Sequence, residues 1–336
     1  MKRPARLAIA GLLVAAAAQA QLDPATFVSL GASVLKVEAV KAGGGYSIGS
    51  GVIVAPGKVV TNCHVTEDAR EIRVIKAGGR LVASAQSADR EHDLCLLRVP
   101  AINGDAVRLG RADALAVGQR LSAVGYTGGT GLSNSAGSVV ALHRHDGSRV
   151  IQTDNWFNSG ASGGGLFDAR LQLVGILTFR LRGGRAHYFA APIDWLRERI
   201  DDERGFEPVA PLERRAAYWQ RPEPQQPNFL KAAVLEQRGR WDELEALAAQ
   251  WSRDDASDSE AWYLLGVAAH ERQRFDEARD ALQRALQLEP RAAPAWYRLG
   301  VVCHRLALRD CSKDALDRLK PLDADLAHRL AKALEA

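Results

Sequence analysis

Between residues 46 and 191 the chain is written in short apolar or alternating runs, SIGSGVIVA, EIRVIK, DLCLLRV, RLSAVGY, SVVAL, RVIQTD and LQLVGILTF, each closed by Gly or by Asp and Asn. Alternation at period two marks half-buried strands, and many short strands punctuated by turn residues predict an all-β sandwich or barrel. Pro192 to Ile200 reads as a closing helix. From 201 to 227 the pattern is lost: the stretch is polar and carries Pro208, Pro211, Pro222, Pro224 and Pro227, the composition of a semi-rigid linker. Beyond residue 228 the spacing becomes helical and repeats itself. Ala261-Trp262-Tyr263, Leu265-Gly266-Val267 and His270 recur 34 residues later as Ala295-Trp296-Tyr297, Leu299-Gly300-Val301 and His304. One period before Phe275 stands Trp241, and RGRWDELEALA mirrors RQRFDEARDAL, so a degenerate first repeat begins near Asn228. That makes about three repeats, roughly the minimum that can stack a continuous core. The third departs from the pattern between Ala307 and Ser312, where a small insertion is expected to lengthen the inter-helix turn.

Three strings in the strand-rich part carry chemistry: TNCHV at 61–65, HDLCLL at 92–97 and SGASGGGLFD at 159–168. A serine hydroxyl is a poor nucleophile at its free pKa. Acyl transfer therefore needs an imidazole to take its proton, a buried carboxylate to orient that imidazole, and backbone N–H donors for the oxyanion. Ser162 is read as the nucleophile, His64 as the base, Asp93 as the orienting acid, and the amides of Gly160 and Ser162 as the oxyanion hole. GASGG also satisfies the nucleophile-elbow pattern of α/β-hydrolases, but there the order is Ser, acid, His, and here His187 precedes Asp194. His92 is a rival base; as a strand neighbour of Asp93 it would face the opposite side. His143 and His145 have a spacing that could suggest metal, yet Arg144 and Asp146-Gly147 read better as a solvated hairpin tip. No metal or cofactor motif is visible.

Residues 46–196 resemble the protease domain of the bacterial HtrA (Deg) group of trypsin-like, chymotrypsin-fold serine peptidases. The likeness runs through GSGVIV at 49–54, DLCLLRV at 93–99, LGRADALAVGQRLSAVGY at 109–126, IQTD at 151–154, GASGG at 160–164, LVGILTF at 173–179 and FAAPIDWL at 189–196. Ser159, Ala161 and Gly165 depart from the group's usual nucleophile loop. The resemblance implies two six-stranded β-barrels, with His64 and Asp93 from the first meeting Ser162 from the second. It also implies a specificity pocket walled by Trp156, Phe157, Thr178, Phe179 and Arg180, suited to small or medium apolar side chains, or to acidic ones if Arg180 reaches the mouth. The 34-residue period with Trp, Leu-Gly, Ala278, Leu282, Ala285 and Pro290 resembles tetratricopeptide (TPR) repeats. By that resemblance Tyr263, Val267, His270, Tyr297, Val301 and His304 line a concave groove that binds a peptide or a protein partner. No PDZ pattern is visible, so the array stands where HtrA enzymes carry their peptide-binding modules.

Lys2, Arg3 and Arg6, an apolar run from Leu7 to Ala18 and the end Ala18-Gln19-Ala20 read as a secretory signal cleaved before Gln21; the run is too short to span a membrane. Without those three cations the formal charge of +4 falls to about +1, which gives nucleic acid little electrostatic pull. Export lets disulfides persist. If His64 and Asp93 touch, Cys63 and Cys95 come close enough to bridge, with two buried thiols as the alternative; Cys303 with Cys311 is a second candidate. The chain of 336 residues, 47% apolar, is long enough for more than one core. The expected division is a signal at 1–20, a trypsin-like domain at 21–200, a linker at 201–227 and a TPR domain at 228–336. The expected function is that of a secreted, periplasmic serine endopeptidase acting on protein or peptide substrates, with the repeats recruiting substrate or partner and the chemistry separable from them. The competing expectation is a catalytically silent protease-fold scaffold that works as a TPR interaction protein.

Overall fold

The computed structural model describes residues 22–76, 78–181 and 187–335, so the signal expected at 1–20 lies outside the described residues. A first helix, α1 (Pro24–Gly31), starts at the Asp23 carboxylate, which accepts from the amides of Ala25 and Thr26. Seven strands follow, β1 (Val34–Lys41), β2 (Tyr46–Ala55), β3 (Lys58–Thr61), β4 (Ala69–Lys76), β5 (Gly79–Val82), β6 (Ala85–Asp89) and β7 (Leu94–Arg98), with the one-turn helix α2 (Cys63–Thr66) between β3 and β4. Six more are β8 (Arg120–Gly125), β9 (Ser133–His145), β10 (Ser148–Thr153), β11 (Gly165–Asp168), β12 (Leu173–Arg180) and β13 (Tyr188–Pro192), and β14 (Glu207–Pro208) comes last. The second group closes into a six-stranded barrel in the order β10-β13-β12-β11-β8-β9. The first group does not close: it is an eight-stranded sheet, β14-β6-β7-β3-β2-β1-β4-β5, curved into a half-barrel in place of the six-stranded barrel expected. Its last strand β5 is mostly exposed and has little to bury against β6, whose free edge is taken instead by β14. Pro208 suits that place, since an edge strand can spare an N–H.

The two sheets share one seam, where Val34, Val52, Val54 and Leu94 meet Val124, Phe167, Leu173 and Ile176. The stretch read as a closing helix is a 3-10 turn over Ile193–Leu196, and it drives Ile193, Leu196 and Ile200 into the same seam. Residues 201–227, expected as a linker, are laid along the first sheet. The Gln86 amide donates to the Ala210 carbonyl at 2.7 Å, Leu212 N–H to Glu67 O at 2.6 Å and Tyr218 N–H to Glu91 O at 3.1 Å.

Helices α3 (Asn228–Gln237), α4 (Trp241–Asp254), α5 (Ser259–Glu271), α6 (Phe275–Leu288), α7 (Ala293–Arg305), α8 (Arg309–Leu319) and α9 (Ala324–Leu334) follow. The second helix of each pair starts at Trp241, Phe275 and Arg309, 34 residues apart, and the turn before it holds one left-handed residue: Gly239, Gln273 or Ala307, with φ of 63°, 61° and 58°. The insertion expected between Ala307 and Ser312 is therefore not there. The third repeat keeps the common three-residue turn but has a shorter second helix, 11 residues against 14 in the first two, with Cys311 and Ser312 already inside α8 and Cys311 bonded to Cys303. Helix α9 adds a half-repeat that covers α7.

The array is not free of the barrel. Val150, Phe179 and Phe189 share one buried cluster with Tyr218 and with Phe229, Leu230, Leu244 and Leu264 of the helices. Of β12, Phe179 belongs to this cluster, Leu173 and Ile176 face the seam between the sheets, and Val174 and Leu177 face the second-barrel core, so seven of its eight residues are buried. His143, expected at a solvated tip, is only 4% exposed. Its ring stacks on Phe229 at 4.6 Å, Nδ1 lies 2.6 Å from Glu260 Oε1, and Nε2 lies 2.9 Å from Gln152 Oε1. Burial lowers its proton affinity, but Glu260 more than offsets this and the pKa stands above the usual value. His145 packs against Tyr218 at 4.8 Å, so the true tip is Asp146-Gly147. Among the described residues no helix is long and apolar enough to cross a membrane, and no cluster of ligating side chains could hold a metal ion.

Candidate active site

His64 stands on α2, the single turn after β3, and that turn is tied to β7 by the Cys63–Cys95 disulfide, with the Cα atoms 4.9 Å apart. Asp93 is not in a strand. It occupies the turn before β7 with φ of 59°, a left-handed conformation that Asp tolerates better than most residues. The turn is pinned from below, where Cys63 N–H and the Asn62 side-chain amide both donate to the Asp93 carbonyl, at 3.2 and 2.9 Å. The buried carboxylate then takes two hydrogen bonds from one residue: His64 N–H at 2.8 Å on Oδ1 and His64 Nδ1 at 2.6 Å on Oδ2. An ionised carboxylate can only accept, so Nδ1 carries the proton and Nε2 is the basic nitrogen. Burial lowers the imidazole pKa, but the Asp93 charge and hydrogen bond, with Glu67 beyond them, outweigh it and hold the pKa above the ordinary histidine value. His92 is engaged elsewhere, between Asp89 at 2.9 Å and Asp146 at 2.7 Å and stacked on Trp195 at 4.0 Å.

Ser162 projects from the loop ahead of β11, and first-sheet residues hold that loop. Ser50 of β2, fully buried, donates its N–H to the Ser162 carbonyl at 2.7 Å and its hydroxyl to the Gly160 carbonyl at 2.7 Å, and accepts from Tyr126 N–H at 2.8 Å. Gly160 has φ of 93°, and a Cβ on it would stand 2.4 Å from the Tyr126 carbonyl oxygen. Gly163 has φ of 86°, and its Cβ would stand 2.1 Å from the Ser50 oxygen. Side chains at either position are excluded twice over, by dihedral and by space. Ala161, a departure from the usual pattern, is 1% exposed and packs into the second barrel. The amides of Gly160 and Ser162 donate to no acceptor among the described residues, whereas those of Ala161, Gly163 and Gly164 are all spent inside the fold. The Ser162 hydroxyl is turned to the Thr178 carbonyl, at 3.4 Å. Thr178 is in turn tied to the first sheet, since its hydroxyl accepts from the Asn62 side chain at 3.3 Å.

Residues 49–176 match the trypsin-like peptidase domain and residues 259–292 the tetratricopeptide repeat. The matched relatives include a probable periplasmic serine endoprotease DegP-like from Halomonas elongata, 37% identical over 167 residues, which are 47% of this chain and 35% of the relative. They also include the periplasmic serine endoprotease DegP of Salmonella typhimurium, 38% identical over 141 residues, 39% of this chain and 30% of the relative. The barrel pair thus matches a trypsin-like peptidase domain, and the relatives it matches are DegP-type serine endoproteases. The chain spans about a third of the length of these relatives. Among solved structures, the Rv3671c protease from M. tuberculosis in its active form superposes with a TM-score of 0.51, at 20% identity, over 58% of this chain and 94% of that one, a likeness of fold.

Around the trypsin-like domain's cleft, the five residues expected as pocket walls are placed unequally. Thr178 presents its carbonyl to Ser162, and Trp156 and Arg180 are exposed. Phe157 is buried in the barrel against Tyr188, and Phe179 is sealed between Phe189 at 4.8 Å and Trp219 at 4.7 Å. The expected TPR groove also changes. Val267 is fully buried, Tyr297 and Val301 pack under α9 with Arg329 over the Tyr297 ring, and His270 lies 3.3 Å from Arg298. Tyr263 sits between two helix cores, and His304 alone of the six is exposed. Helix α5, one of the two expected to offer the groove, spends Glu260 on the barrel, as α3 spends Phe229. Sequence reasoning missed Ser50, Asn62 and Trp219. Ser50 and Asn62 lie inside the GSGVIV and TNCHV strings and could have been found there; Trp219 lies in a proline-bearing stretch with no signal at all.

Proposed function

We propose that the protein is an exported serine endopeptidase that cleaves peptide bonds through Ser162, His64 and Asp93. The carrying observation is the His64–Asp93 pair beside a nucleophile loop whose Gly160 and Ser162 amides are unspent. In this mechanism the substrate carbonyl oxygen enters between those two amides. The Ser162 hydroxyl swings from the Thr178 carbonyl to His64 Nε2, loses its proton to it, and attacks the carbonyl carbon. Asp93 stabilises the imidazolium, which then protonates the leaving amine, and water repeats the cycle on the acyl-enzyme. The two disulfides and the periplasmic relatives support an oxidising, periplasmic setting. The division into a protease unit at 21–200, a connecting segment at 201–227 and a TPR unit at 228–336 belongs to this reading, as does recruitment of a protein partner by the outward surfaces of the array. Ser162→Ala, His64→Ala and Asp93→Asn are each expected to lower hydrolysis of an unfolded protein by about three to four orders of magnitude without unfolding the chain, and double variants to add little. Labelling by a serine-directed fluorophosphonate, present in the wild type and absent in Ser162→Ala, checks the nucleophile. Undiminished cleavage by purified Ser162→Ala would sink the assignment of Ser162, and a wild type that neither cleaves nor takes the label would leave the silent-scaffold reading in its place.

A further inference from the structure

Trp219 comes from the connecting segment, yet its ring lies at the catalytic cleft. It meets the His64 imidazole edge-on, with centroids 5.8 Å apart and planes at 83°. It stacks face to face on Phe179, 4.7 Å away and tilted by 8°, and Phe179 stacks in the same manner on Phe189. We propose that Trp219 is the wall of the substrate cleft that restricts the side chain lying against His64 to small residues. The proposal rests on the protease reading and adds a specificity-determining residue to it.

The route of a substrate follows from Thr178. Its carbonyl lies 3.4 Å from the Ser162 hydroxyl, so a peptide whose acyl carbon is at Ser162 runs beside the 178–180 edge of β12. In an extended chain successive side chains point to opposite sides. The side chain one residue upstream of the acyl residue is then the one that crosses Phe179 and the imidazole. Those are the two rings that Trp219 already touches, so a side chain arriving there meets the indole first. Glycine, alanine or serine asks the least of the indole, and a leucine or phenylalanine competes with it.

The wall is anchored. Tyr218 beside it is 1% exposed and donates its N–H to the Glu91 carbonyl; the Arg221 guanidinium pairs with the Glu91 carboxylate; and the Trp219 carbonyl accepts from the Gln226 side chain at 3.2 Å. The indole N–H, in contrast, finds no acceptor among the described residues. Stacking therefore places the ring, and truncating it orphans no partner. Because Tyr218 also joins the cluster shared with α3–α5, the segment that shapes the cleft is continuous with the docking of the array.

The test is a peptide series, cleaved by the full-length protein, that varies only the residue just upstream of the acyl residue. The wild type is expected to favour Ala over Leu and Phe. Trp219→Ala should raise the ratio of kcat/KM for Leu or Phe relative to Ala by at least about tenfold, and Trp219→Phe, which keeps the stack with a smaller edge, by about threefold. Melting is measured for both variants, and if the Ala variant proves unstable the Phe variant carries the comparison. An unchanged ratio overturns the proposal. So does an equal rise for every peptide, which would make Trp219 a general obstruction and not a wall. A wild type that neither cleaves the series nor takes the fluorophosphonate sinks the protease reading, and this proposal with it; a wild type that does both, with variants of unaltered preference, sinks this proposal alone.

Discussion

Asp93 takes both polar atoms that His64 can offer it from below, the backbone N–H and Nδ1, and this double hold decides the imidazole's orientation and tautomer together. The left-handed turn at Asp93 is what turns its carboxylate toward α2, so the residue works from outside the strand that sequence alternation assigned to it. The same contact has a pH consequence. A protonated His64 cannot accept the serine proton, and the Asp93 charge keeps the imidazole protonated to a higher pH than usual despite burial. The acid limb of kcat/KM for an uncharged ester should therefore fall with a midpoint above the ordinary histidine value of about 6.5. A midpoint at or below that value would mean that burial, and not Asp93, dominates the base.

At the scale of elements, α2 is too short to be stable on its own. One turn after β3 is held by the disulfide to β7, by the Asn62 amide on the Asp93 carbonyl, and by Val65 packed in the first-sheet core. The cysteines are 32 residues apart, and closing a loop of that length contributes about 3–4 kcal/mol in the chain-entropy model. Replacing Cys63 and Cys95 by Ser together should lower the unfolding free energy by roughly that amount. Denaturant unfolding of the two proteins measures it, and a loss under about 1 kcal/mol would assign the stability of the α2–β7 corner to packing alone. The helical elements show the converse. Their 34-residue register and left-handed turns at Gly239, Gln273 and Ala307 are kept without any cross-link in the first two pairs, because stacking against the next helix does the work.

The whole molecule behaves as one packed body along the second barrel. Val150, Phe179 and Phe189 are sealed by Tyr218 and by α3 to α5, and His143 is covered by Phe229 and Glu260. A chain ending at Ile200 would return these three apolar side chains to water, at about 1.5–3 kcal/mol each as an upper bound. Their sum is comparable to the net stability of a typical domain. The expectation that the chemistry is separable from the helices is accordingly revised: the fragment 21–200 should melt far below the full chain or aggregate, and the fragment 21–227, which restores Tyr218 and Trp219, should recover part of the difference. Circular dichroism melting of the three proteins decides it. A cooperative 21–200 fragment with the melting point of the full chain would show that the shared cluster adds nothing to the barrel.

Much of this protein is local and was therefore legible in its sequence. Period-two runs closed by Gly and Asp are strand chemistry, a 34-residue recurrence is stacking chemistry, and a Gly on either side of an Ala-Ser pair is turn chemistry, confirmed here by φ at Gly160 and Gly163. The order of His64, Asp93 and Ser162 singled out three side chains as one set, and the first two are found in contact. What the tertiary structure alone decided has no period. The half-barrel in place of a closed one, the path of 201–227 across it, the burial of His143 and the ring of Trp219 against His64 all depend on which distant surfaces meet. A proline-bearing polar stretch reads as a spacer because its few apolar residues show no periodicity. Tyr218 and Trp219 acquire their roles only from the cleft and the cluster that folding brings to them, since the hydrophobic effect rewards buried area wherever along the chain it comes from.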